Sequence, residues 1–211
     1  MQYNKNNIMR VAINGFGRIG KLVLRAFLEK NIKNVKIVAI NELGSLDSSI
    51  HLLKYDSVHG RIPFDVLKTK NGLKIAKNNI NFYSEKDPIN LPWKSLKIDV
   101  VLECSGFFTS KEKAMSHIEA GAKKVIISAP CSDADKTIVH GVNDKELTKM
   151  HKIISNGSCT TNCLAPVAMV LDKGVGIQSG FMTTIHSYTG DQRTVDQVHQ
   201  DLRRSRAAAQ S

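Results

Sequence analysis

The stretch Ile13–Gly20, "INGFGRIG", constrains this chain more than any other. It follows the β-like run Arg10–Asn14 and opens a helical pattern over Arg18–Glu29, with Ile19, Leu22, Val23, Ala26 and Phe27 recurring on one face. In that setting the three glycines of G-x-G-x-x-G divide the work. Gly15 permits a tight turn, Gly17 lets a pyrophosphate approach the backbone, and Gly20 lets the helix pack against the strand. The helix start then offers unpaired N–H groups and the positive end of its dipole to phosphates. A second strand, Val35–Ile40, runs into "AINEL", which places Asn41 and Glu42 at its carboxyl end, Glu42 lying 22 positions beyond Gly20. An acid there accepts hydrogen bonds from ribose hydroxyls and repels a 2′-phosphate, so the expected cofactor is NAD rather than NADP.

The rest of the first part keeps the same alternation. Leu46–Leu53 reads as a helix, and Arg61–Phe82 reads as short strands broken at Asn71–Gly72 and Asn78–Asn79. Asp99–Glu103 is a buried strand, and Lys111–Ala120 a helix, with Thr109 and Glu112 in capping-box spacing and Gly121 just past its end. Lys124–Ser128, Thr137–Val139 and Lys152–Ser155 complete the strands. Strands joined by crossover helices define an α/β fold, a Rossmann doubly wound, mainly parallel sheet. After Ser155 the pattern changes to a helix over Cys159–Leu171 with a stripe of Leu164, Val167, Ala168 and Leu171. A long strand, Ile177–Ser187, and a polar loop with a short helical end follow. The expected organisation is an extension at 1–8, a dinucleotide domain at 9–156 and the start of an α+β catalytic domain at 157–211.

Composition narrows the partners. Hydrophobic content of 42% and charged content of 23% are globular values. The net charge of +11 raises nucleic acid as a partner, but the lysines are scattered and only "DLRRSR", Asp201–Arg206, is dense. The reading is therefore against nucleic acid, with the basic surface suited to anionic small molecules. No run reaches the roughly 18 apolar residues of a membrane span, and no repeated C-x2-C zinc pattern joins the four cysteines, so no metal is expected. Those cysteines fit a reducing, cytoplasmic setting.

The stretch Ser155–Pro166, "SNGSCTTNCLAP", poses the chemical question. Cys159 falls where strand gives way to helix, and a thiol at a helix N-terminus is acidified by the dipole and the open amides. His186, 27 positions on in "GFMTTIH", is a candidate base. Cys163 lies one turn after Cys159 and reads as a buried packing residue, with a lesser part in oxidation of the first thiol.

Taken together, "INGFGRIG", "LLKYDSVHGR", "HIEAGAKKVIISAP", "SCTTNCLAP" and "MTTIHSYTGDQ" resemble the phosphorylating glyceraldehyde-3-phosphate dehydrogenase family over nearly all of Met9–Ser211. The resemblance implies that Cys159 attacks an aldehyde, that His186 moves the proton, and that inorganic phosphate releases the acyl group. It also implies phosphate binding by Ser158, Thr160, Thr189 and Arg206. On the cofactor side it implies roles for Gly15, Phe16, Gly17, Arg18, Ile19, Gly20, Asn41, Glu42, Lys86, Ser105, Gly106 and Ser128. The implied substrates are glyceraldehyde 3-phosphate and phosphate, and the implied assembly a homotetramer.

Some positions depart from the family's common pattern. Glu42 stands for the usual aspartate, Gly157 for alanine, and Lys86 for an arginine near the adenine. Erythrose-4-phosphate dehydrogenase is the nearest alternative; Thr189, Ala129 and "FTSKEKA" favour the triose-phosphate enzyme. The family also continues well beyond the position of Ser211, so the expectation is a truncated chain that binds NAD weakly. A binding protein without turnover is the remaining alternative.

Overall fold

The computed structural model describes residues 8–210, so the expected N-terminal extension lies, except for Ile8, outside the described residues. The chain forms two compact units, one running to Val170 and one beginning at Leu171. In chain order the elements are β1 (Met9–Asn14), α1 (Arg18–Glu29), β2 (Val35–Asn41), α2 (Leu46–Lys54), β3 (Tyr55–Asp56) and β4 (Gly60–Arg61). There follow β5 (Val66–Thr69), β6 (Gly72–Ile75), β7 (Asn78–Tyr83), β8 (Val100–Glu103) and α3 (Lys111–Glu119). The series ends with β9 (Lys124–Ile127), β10 (Lys136–Thr137), β11 (Ile153–Ser155) and α4 (Cys159–Val175).

Nine strands form one sheet in the order β10-β11-β9-β8-β1-β2-β7-β6-β5. Pairing is parallel from β10 to β7, and antiparallel where β6 and β5 extend the edge. From β1 the chain steps to β2 on one side and later returns as β8 on the other, so the order reverses at β1 and β8. Crevices for ligands open at the carboxyl ends of strands at such a reversal. The sheet is covered on both faces. Val11 and Ile13 of β1 pack with Leu24, Ile37 and Leu73, while Ala12 between them faces Trp93, Val101, Ala114 and Val125. This two-residue alternation is what a central strand buried on both sides requires. Each fully buried Leu or Ile of these clusters contributes about 1.5–3 kcal/mol of transfer free energy.

Several sequence expectations need correction. The buried face of α1 is Gly20, Lys21, Leu24, Arg25, Phe27 and Leu28, whereas Ile19 is exposed. Two cations replace the expected aliphatics because both find carbonyls inside: Lys21 Nζ donates to the Phe16 carbonyl, and Arg25 Nη1 to that of Gly60 at 3.0 Å. The second turn of the meander is Ala76–Lys77, between β6 and β7, and Ala76 takes the left-handed conformation at φ 48°. Asn78 and Asn79 belong to β7. The cap of α3 is Ser110 rather than Thr109; its hydroxyl accepts from the Lys113 N–H at 3.3 Å.

Beyond Ser155 the differences grow. α4 runs on to Val175, and none of its residues is buried, so the stripe of Leu164, Val167, Ala168 and Leu171 is uncovered. Cys163, expected to be buried, is exposed. Ile177–Ser187 is not a strand: no ladder partner meets it among the described residues, and Phe181 and Ile185 are almost wholly exposed. Alternating residues alone do not make a strand, because its backbone groups need a neighbour.

Candidate functional site

The glycine turn joins β1 to α1 at the reversal point, and each glycine answers a different demand. Gly15 has φ 85°, and a Cβ there would stand 2.4 Å from the Ser105 backbone nitrogen, so β1 and β8 meet here with no room for a side chain. At Gly20 a Cβ would lie 2.2 Å from the Gly15 carbonyl oxygen. Gly17 faces open space, with nothing within 4 Å of a Cβ, and is the extended residue that precedes α1. The open position is the one at which a pyrophosphate needs close access to backbone amides.

A cavity of about 350 Å³ opens beside this turn. Of the residues expected at the cofactor, Gly15, Gly17, Asn41, Glu42, Lys86 and Ser105 line it. Phe16, Arg18, Ile19, Gly20, Gly106 and Ser128 do not. Asn14, Leu43, Glu85, Cys104, Phe107 and Phe108 also line it and were missed from sequence. All six lie at or just beyond the carboxyl ends of β1, β2, β7 and β8, the signal that would have found them.

Glu42 lines the cavity beside the glycine turn. One carboxylate oxygen accepts from the Phe16 N–H at 2.6 Å and the other from the Gly44 N–H at 3.0 Å. The Phe16 ring is fully buried, and the Lys21 ammonium lies over it, 4.9 Å from its centroid. Burial lowers the Lys21 pKa, and the nearby Glu42 charge opposes that shift. Arg18 leaves the turn to pair with Asp56 at 2.8 Å. The His59 and Val58 N–H groups, with Arg18, hold the Asp56 carboxyl far below the usual carboxylate range.

The floor of the cavity is a buried polar net. Asn41 Nδ2 donates to Asn14 Oδ1 at 2.8 Å and to the Glu85 carbonyl at 2.9 Å, committing both amide hydrogens within the protein. Glu103 accepts from Asn14 Nδ2 at 2.6 Å and from the Ser105 N–H at 2.7 Å. Cys104 is a poor nucleophile, since burial pushes its thiol up to about 11. Ser128 partners that thiol, and its N–H donates to the Glu103 carbonyl at 2.9 Å.

The turn that leads to Cys159 lies at the end of β11. Ser155, fully buried, donates to the Ala129 carbonyl at 2.8 Å and accepts from the Gly157 N–H at 3.0 Å. Cys159 is the first residue of α4 and is exposed. Ser158 caps that helix, its hydroxyl accepting from the Thr161 N–H at 2.9 Å, and Thr160 lies in the first turn. Asn162 donates to the carbonyls of Asn156 at 2.7 Å and Ser158 at 2.9 Å, closing the turn that presents Cys159.

His186, Thr189 and Arg206 belong to the second unit. His186 is exposed, with Nδ1 2.5 Å from the Ser187 carbonyl oxygen. Thr189 donates from its N–H and hydroxyl to Gln192 Oε1 at 2.7 and 3.0 Å, and Arg206 Nε lies 3.6 Å from Asp196. Among the described residues no group of three His, Cys, Asp or Glu side chains is placed to hold a metal ion. None of the described helices is long and apolar enough to cross a membrane.

A glycine turn opening a helix at the reversal point of a parallel sheet, with an acid at the next strand end, defines a Rossmann dinucleotide-binding protein. Residues 9–111 match the family described as "Glyceraldehyde 3-phosphate dehydrogenase, NAD binding domain", and residues 158–211 match "Glyceraldehyde 3-phosphate dehydrogenase, C-terminal domain". The chain belongs to the glyceraldehyde-3-phosphate dehydrogenase family, and its cofactor is NAD. It is 53% identical over 203 residues to "Glyceraldehyde-3-phosphate dehydrogenase" of Xanthobacter flavus, covering 96% of this chain and 61% of that protein. The like-named protein of Mycoplasma pneumoniae is 54% identical over 206 residues, 97% of this chain and 60% of that one. For Thermotoga maritima the figures are 52% over 200 residues, 95% and 60%. The chain therefore spans about three fifths of the length of the curated relatives it matches.

Proposed function

We propose that the protein carrying this chain oxidises glyceraldehyde 3-phosphate and couples the oxidation to inorganic phosphate, giving 1,3-bisphosphoglycerate. The observation that carries the reading is an exposed Cys159 at the first position of α4, in the same chain as an open glycine turn. The residues fit NAD: space at Gly17 for a pyrophosphate, and an acid at Glu42 for ribose hydroxyls. The cofactor, when bound, supplies the hydride acceptor.

The chain's own residues supply the rest. The amides of the first turn of α4 and its dipole favour the Cys159 thiolate, whose proton passes to His186. The thiolate attacks the aldehyde carbon, and the carbonyl oxygen takes that proton back from His186 to give a thiohemiacetal. His186 takes the hydroxyl proton as general base. The Cys159 N–H stabilises the oxygen that carries developing negative charge. Once the carbon has been oxidised to a thioester, phosphate attacks it and Cys159 leaves as thiolate. Ser158, Thr160, Thr189 and Arg206 are assigned to the phosphate groups through hydroxyl donors and one guanidinium charge. The domain division at 156–157, a homotetrameric assembly and a cytoplasmic location belong to the same proposal.

The test is NAD reduction with glyceraldehyde 3-phosphate and with erythrose 4-phosphate, each with and without phosphate. Phosphate-dependent turnover of the triose, lost in Cys159→Ser, is expected. Preference for the tetrose would assign the alternative substrate, and activity retained in Cys159→Ser would refute the mechanism.

A further inference from the structure

A buried carboxylate lies behind the residues that line the cavity, and among the described residues no lysine or arginine pairs with it. Glu103, the last residue of β8, is 1% exposed. Its Oε1 accepts from the Ser105 N–H and the Ser105 hydroxyl, and its Oε2 from Asn14 Nδ2 and His117 Nε2, the last at 2.9 Å. His117 is wholly buried, and its Nδ1 lies 3.0 Å from the indole nitrogen of the equally buried Trp93. An indole N–H only donates, so Nδ1 is an acceptor and the imidazole proton sits on Nε2, directed at Glu103. The four partners of the carboxylate are therefore neutral dipoles, which fill its acceptor sites.

A buried charge held only by dipoles is an expensive way to fill space, and an apolar side chain would serve packing better. What an apolar residue would not do is hold Ser105. The Ser105 hydroxyl gives its one hydrogen to Glu103 and accepts from the Phe107 N–H at 3.1 Å, which fixes the turn carrying Ser105, Phe107 and Phe108 along the cavity. The Phe108 ring also meets His117 edge-on, with centroids 5.9 Å apart.

We propose that Glu103 is a positioning residue for NAD. It orients the Ser105–Phe108 wall of the cavity, and His117, locked in one tautomer by Trp93, holds Glu103 in turn. The Ser105 hydroxyl then acts on the cofactor through the wall it fixes and donates no hydrogen bond to NAD. This inference rests on the cavity being the NAD site and adds residues that touch neither substrate nor cofactor.

The test is a double-mutant cycle on NAD affinity, read by calorimetry on the 211-residue chain. Glu103→Gln replaces an acceptor oxygen by a donor, so two of its partners lose their bond, and about a tenfold rise in the NAD Kd is expected. Ser105→Ala weakens binding less, and the double variant binds as Glu103→Gln does, because one relay has been cut twice. Ile75→Ala, a core truncation in β6, is the control for stability alone and lowers Tm with the Kd unchanged. Should Glu103→Gln fail to fold, His117→Gln keeps the carboxylate and tests the outer link by the same titration. Nitrogen NMR of the imidazole, identified by its loss in that variant, should show a protonated Nε2 and a bare Nδ1. Wild-type affinity in Glu103→Gln, additive losses in the cycle, or a proton on Nδ1 would overturn the positioning role. A wild-type chain that takes up no NAD would overturn the cofactor reading as well.

Discussion

The two functional regions of this chain are built in opposite ways. The dinucleotide cavity rests on strands locked by register and on a buried floor in which Asn14, Asn41, Glu103 and His117 satisfy one another. Cys159, the proposed nucleophile, stands on α4, which has no buried residue, and His186 lies in a segment without regular structure. Burial plus satisfied polar groups makes a site rigid, whereas exposed helices and unpaired backbone leave it to be ordered by further contacts. Cofactor binding and the proposed turnover should therefore be separable by substitution.

Cys159→Ser should separate them most sharply. Turnover in the protein that carries this chain falls by about a thousandfold or more, while calorimetry finds NAD affinity unchanged; a matching loss of affinity would merge the two regions. Next come the glycines, which test the cavity from inside. In Gly15→Ala the methyl meets the Ser105 backbone and φ is positive, so unfolding midpoints should report a loss of about 3 kcal/mol. Gly17→Ala enters open space at a negative φ; it should keep its stability and lose NAD affinity about tenfold, because the methyl fills the phosphate approach. Equal stability losses in the two variants would refute this division of labour.

Smaller still is the cap on the exposed side. Ser158→Ala removes the acceptor for the Thr161 N–H and should cost about 1 kcal/mol of α4 stability, seen as faster amide exchange in its first turn. The smallest effect concerns acid. Asp135, which anchors β11, has its pKa lowered to about 2, chiefly by Lys111 and also by the Ile153 and Lys152 N–H groups. Its folded pKa lies below its unfolded one, so its stabilisation is complete above about pH 4 and is lost as pH falls towards 2. Asp135→Asn should flatten that acid limb of the stability curve and leave the alkaline limb alone.

The same contrast explains what was legible in the sequence. β1, the glycine turn and α1 were readable because each is decided by neighbours within a few residues. The buried face of α1 was not, since Lys21 and Arg25 turn inward only where Phe16 and Gly60 offer carbonyls. Ile177–Ser187 has strand-like alternation, but a strand also needs a partner that composition does not reveal. In the cavity, Gly15, Glu42 and Ser105 were visible from motif and strand-end position. Phe107, Phe108 and Glu85 come together only through the sheet order, and the Glu103–His117 pair spans a loop and a helix.

The strand order also sets when the cavity comes into being. Val11 pairs with Ile37 across a short crossover, but with Val100 only after an excursion of 89 residues. Closing the longer loop is entropically later, so the β1–α1–β2 unit precedes the β1–β8 seam during folding. Until β8 arrives, Gly15 has no Ser105 to press against, and the glycine turn is half a cradle. A ligand that needs both halves stabilises the finished sheet and slows its unfolding, while leaving the rate of its assembly nearly untouched.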